Sequence, residues 1–138
     1  MTDTLVDANV IIDIFGADPV WRDWSKERLL TAKREGALVI NPIIYAEVAA
    51  SFPTQRRLDD ALGADRYHRE NLPWEAAFNA GRAFLAYRRA GGTKRSPLPD
   101  FYIGAHAEVR GYNLLTRDFG RYRQAFPALR IVSPGSHP

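Results

Sequence analysis

The chain has 138 residues, 46% hydrophobic and 25% charged, proportions that suit one soluble domain with a packed core and exclude wholesale disorder. It contains no cysteine, which excludes disulfides and thiolate-rich zinc sites. No apolar run approaches the ~20 residues of a membrane span. No basic-then-apolar leader is visible, so a cytoplasmic protein is expected. The net charge of +3 leans only mildly toward polyanionic partners.

In chain order, Thr4-Leu5-Val6 reads as a short apolar strand that ends on Asp7 and enters a helix at once. Asp18-Pro19 is a helix start, with an acid at the N-cap and proline at the first helical position. The helix runs from Val20 to Glu35, and Gly36 closes it. Leu38-Val39-Ile40 is a second strand. Asn41-Pro42 turns the chain into a helix from Ile43 to Ser51. Thr54 to Leu62 forms another helix, and Tyr67 to Leu72 an edge-like third strand. Pro73-Trp74-Glu75 opens the longest helix. Its Trp74, Ala77, Phe78, Gly81, Phe84 and Leu85 have the spacing of one core-facing stripe. A basic Gly91–Pro97 loop precedes Pro99-Asp100 and a helix to Gly111. Tyr112–Thr116 is the fourth strand, followed by Asp118 and a short helix from Phe119 to Phe126. Leu129–Val132 is the last strand. Short apolar strands alternating with helices predict an α/β fold, a three-layer αβα sandwich around a short, mostly parallel sheet. Residues 1–133 form one domain and 134–138 a tail.

Acids recur at one edge of that sheet. Asp7 ends the first strand and Asp118 follows the fourth. Asp100 opens the helix that leads back into the fourth strand. At ~100° per residue, Glu47 shares a helix face with Ile43, Ile44, Val48 and Ser51, so it points toward the core rather than away from it. Each aspartate alone could be a helix cap. Capping explains neither Glu47 nor the shared edge. Carboxylates gathered together repel unless a cation joins them. The three histidines show no ligand spacing, and oxygen-only ligands favour Mg²⁺, with Mn²⁺ as substitute, over zinc. Such an ion activates water for attack on a phosphodiester.

The motifs resemble those of the PIN-domain ribonucleases, and among them the VapC-type toxins of bacterial toxin–antitoxin pairs. The likeness rests on Val6-Asp7-Ala8-Asn9-Val10-Ile11-Ile12-Asp13, Tyr45-Ala46-Glu47-Val48, Pro99-Asp100-Phe101-Tyr102-Ile103-Gly104-Ala105, and Leu114-Leu115-Thr116-Arg117-Asp118-Phe119 with Tyr122. No single motif is specific; their order and spacing are. The resemblance implies Mg²⁺-dependent cleavage of RNA, with Asp7, Glu47, Asp100 and Asp118 as catalytic metal ligands. Asn9 would steady the first acid by hydrogen bonding, and Thr116 would support the site. It also implies a cognate antitoxin and a homodimer, for which Trp21 and Trp24 are a candidate surface. Lys94, Arg95 and Arg117 are the candidate phosphate contacts. Asp13, about 1.5 turns beyond Asp7, is expected to face solvent.

Competing readings are a catalytically idle RNA- or protein-binding module on the same scaffold, a DNA-directed nuclease of the same mechanism, and a phosphohydrolase with Asp7 as nucleophile. The intact acid quartet argues against the first. Asn9 argues against the last, because that chemistry commonly pairs two aspartates as Asp-x-Asp.

Overall fold

The computed structural model describes residues 2–93 and 99–134. Among these residues five parallel strands form one sheet in the order β3-β2-β1-β4-β5. They are β1 (Thr4–Val6), β2 (Leu38–Ile40), β3 (His68–Arg69), β4 (Asn113–Leu115) and β5 (Ile131–Val132). The central strand β1 is in register with both neighbours: Leu5 pairs with Val39 on one side and Leu114 on the other. Consecutive residues of a strand point to opposite faces. Leu5 and Val6, Val39 and Ile40, and Leu114 and Leu115 are all at most 1% exposed. Both faces of the sheet are therefore covered, which explains why these strands are unbroken apolar runs rather than alternating ones.

Among the described residues seven helices do the covering: α1 (Ala8–Phe15), α2 (Arg22–Glu35), α3 (Pro42–Ala49), α4 (Gln55–Ala61), α5 (Trp74–Arg89), α6 (Pro99–Arg110) and α7 (Phe119–Arg123). Asn41 caps α3, with Oδ1 accepting from the Ile44 amide at 2.9 Å, and Pro42 fills the first helical position, where its missing N–H costs nothing. Thr54 caps α4 in the same way. The Asn41 side chain does a second job. Its oxygen is taken by the helix, so its amide donates to Nδ1 of the fully buried His106, 2.9 Å away. His106 Nε2 then faces Glu70 at 2.8 Å. This chain of bonds ties the ends of β2 and β3 to α6, and so holds α3 against α6.

Two expectations need correction. Helix α2 starts at Arg22, a turn later than Asp18-Pro19 suggests. Asp18 Oδ1 accepts from the Val20 and Trp21 amides and so caps the turn before the helix. The stripe on α5 faces partly the wrong way. Ala76 and Ala80 are its buried residues, while Trp74 is 91% and Phe78 62% exposed. Phe84 of the stripe does turn inward, its ring edge-on to Phe101 of α6, with Tyr87 beside it.

Candidate active site

The strand order reverses at β1. From β1 the chain builds outward to β2 and β3, then crosses back to β4 on the other side. Parallel sheets open a crevice at such a point, beyond the carboxyl ends of the two strands. Asp7 follows β1 and Thr116 follows β4, whose last residues Val6 and Leu115 are paired. The Asp7 amide bonds the Leu115 carbonyl at 2.9 Å, which closes the crevice floor.

Asp7 is 3% exposed and fully engaged. Oδ1 accepts from the Ala8 amide at 2.8 Å. Oδ2 accepts from the Thr116 hydroxyl at 2.8 Å and the Tyr122 hydroxyl at 2.8 Å, with the Asn9 amide at 3.5 Å. Burial raises its pKa, and these donors only partly offset that. Thr116 spends its proton on Asp7 and its lone pairs on the Asn9 amide at 3.2 Å and the Asp118 amide at 3.0 Å. Asn9 Oδ1 in turn accepts from the Arg117 amide at 3.1 Å. Asn9 and Thr116 thus link the loop after β4 to the start of α1.

The other acids join through α7. The Tyr122 hydroxyl, beside Asp7, lies 3.5 Å from Asp100 Oδ1. Arg121 Nε is 2.8 Å from Asp118 Oδ2, and its Nη1 is 3.5 Å from Asp100 Oδ1. Asp100 is raised by burial; Arg121 lowers it, and the charges of Asp7 and Asp118 raise it again. Glu47 is raised to about 7, by burial first and then by the charges of Asp7 and Asp100. Asp7, Asp100 and Asp118 are thus linked through Tyr122 and Arg121, and Glu47 feels the charges of Asp7 and Asp100.

These side chains suit a hard divalent cation. Among the described residues no three acids or histidines stand close enough to hold an ion unaided. Mg²⁺ asks for less, since it commonly keeps several waters and uses one or two carboxylates. Burial is the first cause of the raised pKa values, and at Glu47 and Asp100 neighbouring carboxylate charge adds to it, a repulsion that a cation would relieve.

Three expectations are revised. Asp13 is 2% exposed, not solvent-facing; it accepts from the Ser25 hydroxyl at 2.7 Å and Arg117 Nε at 2.6 Å. The Arg117 guanidinium is committed to that pair and also lies over the Trp21 ring. Trp21 and Trp24 stack edge to face, half-buried, and do not form an open surface. Lys94 and Arg95 lie outside the described residues. Tyr122, part of the closing motif but given no role there, is the bridging hydroxyl, and Arg121 was missed. The i,i+3 spacing of Arg121 from Asp118 was the available signal, because side chains three apart on a helix meet.

Residues 4–127 match the family model described as the PIN domain. The chain belongs to the PIN domain family. No curated protein matches it significantly in sequence. Solved structures do resemble this PIN domain in fold. VapBC2 from Rickettsia felis, bound to a DNA fragment from its promoter, superposes with a TM-score of 0.72 at 15% identity, over 95% of this chain and 98% of that one. DNA-bound VapBC from Salmonella typhimurium gives 0.71 at 21%, over 96% and 98%. VapC20 of Mycobacterium tuberculosis, a sarcin-ricin loop cleaving toxin, gives 0.63 at 17%, over 92% and 98%. Among the described residues no helix is long and apolar enough to cross a membrane.

Proposed function

We propose that this PIN domain is a Mg²⁺-dependent endoribonuclease and the toxin of a toxin–antitoxin pair. The observation that carries the reading is the bridged carboxylate set: Tyr122 stands between Asp7 and Asp100, and Arg121 between Asp100 and Asp118. Asp7, Glu47, Asp100 and Asp118 would hold the ion. The chemistry it supplies when bound is activation of water and neutralisation of phosphoryl charge. Thr116, Tyr122 and Asn9 keep Asp7 oriented by donating to it. Mn²⁺ is expected to substitute.

Incubating the purified protein with total RNA, with Mg²⁺ or with EDTA, and sequencing the ends tests this. Defined cuts that need the metal and vanish in Asp100→Asn are expected. RNA left intact, or cut equally by Asp100→Asn, would contradict it. Single-stranded DNA in parallel separates the DNA-directed alternative.

A cytoplasmic antitoxin encoded beside this chain completes the proposal, as the neighbouring toxin–antitoxin complexes suggest. Co-expression should relieve growth arrest and yield a complex. For the homodimer, the exposed face of α5 is a better surface than Trp21 and Trp24. Trp74, Phe78, Gly81 and Leu85 are spaced 4, 3 and 4 apart, a palindrome. Two antiparallel copies would set Trp74 against Leu85 and Phe78 over the partner's Gly81. A Cβ added to Gly81 meets nothing within 4 Å, so that space is open to a second copy. The acidic Glu75 end of one helix would lie toward the basic Arg89 end of the other. Self-complementary patches of this kind are what a two-fold interface requires.

A further inference from the structure

Arg121 forms two ion pairs among the described residues, and both are with proposed metal ligands: Nε to Asp118 Oδ2 at 2.8 Å and Nη1 to Asp100 Oδ1 at 3.5 Å. Its neighbour in the motif, Arg117, is spoken for by Asp13 and Trp21. Arg121 is different. Its side chain is 50% exposed, it sits on a five-residue helix, and its guanidinium spans Asp100 and Asp118. Tyr122, the next residue, points into the floor and is fully buried. Helix α7 therefore delivers two kinds of group to the acids, a neutral donor below and a cation above.

A divalent ion held by Asp100 and Asp118 would compete with Arg121 for these carboxylates, of which it engages one oxygen each. Spare lone pairs would let a carboxylate touch both cations, but the two positive charges would then repel at close range. The cheaper outcome is exchange. A half-exposed guanidinium loses little by turning to water, because an ion pair at the surface is worth little.

We infer that Arg121 is a resident counter-cation: its guanidinium holds Asp100 and Asp118 together and yields their oxygens to the incoming metal, so that it sets how tightly the site takes a divalent ion. The inference rests on the metal-site reading above. Before exchange, Arg121 relieves the repulsion between the two aspartates. After it, a positive group stays beside the ion, facing the side from which a phosphodiester would come. Arg121 is thus a positioning residue for the acids.

Titration calorimetry with Mn²⁺ alone, without RNA, tests this on wild type, Arg121→Met and Arg121→Lys. Arg121→Met should bind Mn²⁺ about tenfold more tightly, the scale of one unit charge removed from a half-exposed site. Its metal-free form should melt below wild type, since Asp100 and Asp118 then lose their counter-charge. Arg121→Lys keeps the charge but cannot span both acids, and should fall between. Equal or weaker Mn²⁺ binding by Arg121→Met, folded by circular dichroism, overturns the inference and leaves the metal site standing. Should the methionine variant not fold, affinity in the lysine variant at or below wild type overturns it equally. Absence of Mn²⁺ binding in wild type at millimolar concentration would sink the metal-site reading, and this inference with it.

Discussion

At Glu47, burial and then the charges of Asp7 and Asp100 raise the pKa from 4.5 to about 7. The folded protein therefore binds a proton here, between those two values, that the unfolded chain has released. The resulting stability is fully present below about pH 4.5 and is lost as pH rises through about 7. Asp7 and Asp100 are raised as well and act with the same sign. Metal-free melting temperatures should therefore fall between pH 5 and 8, and Glu47→Gln should flatten that slope. An unchanged slope in the variant would show that Glu47 does not titrate in this window. Metal needs the ionised carboxylate, so affinity for Mg²⁺ should climb over the same range. The two trends oppose each other, and the ion restores what the high pH removes.

Among the elements, α6 carries Asp100 and is held in place by close packing. A Cβ on Gly104 would meet the Phe126 ring at 2.4 Å, and Phe126 is itself only 3% exposed, so it has little room to give. Gly104→Ala should cost ~1–3 kcal/mol by overpacking, read as a lower denaturant midpoint. A neutral effect would mean that the helix and ring separate easily. Helix α5 offers the opposite case, an apolar face left largely exposed, with the Arg82 guanidinium over the Phe78 ring. Phe78→Glu should convert a dimer to a monomer, by light scattering after gel filtration, with helix content unchanged. A wild type already monomeric at ~100 μM, or a variant that stays dimeric, would remove α5 as the interface at that scale of affinity.

For the whole molecule, what could be read in the sequence divides by the kind of signal. Strands buried on both faces leave unbroken apolar runs, so Leu5-Val6, Leu38-Val39-Ile40 and Leu114-Leu115 were legible, as was the shared edge where Asp7 and Asp118 emerge. Glu47 was legible from its helix face. The α5 stripe was not, because periodicity shows that a face is apolar and cannot say whether the chain itself covers it. Asp13 and Arg117 were misread for a related reason. Their partners are each other, 104 residues apart, and no local spacing reports such a pair. Tyr122 reaches Asp7 across 115 residues, while Arg121 joins a local partner, Asp118, to a more distant one, Asp100. The crevice at the strand reversal brings Asp7, Tyr122 and Asp100 together, and the proposed activity requires that it take a cation.

Thermal melting with and without millimolar Mg²⁺ or Mn²⁺ addresses that dependence most directly. An ion that binds only the folded chain stabilises it by about 2.7 kcal/mol at a hundred times its dissociation constant. Wild type should melt several degrees higher with metal, while Asp7→Asn and Asp100→Asn should melt no lower than wild type without metal and gain little from its addition. A wild type indifferent to both ions, or aspartate variants that gain as much as it does, would contradict the account.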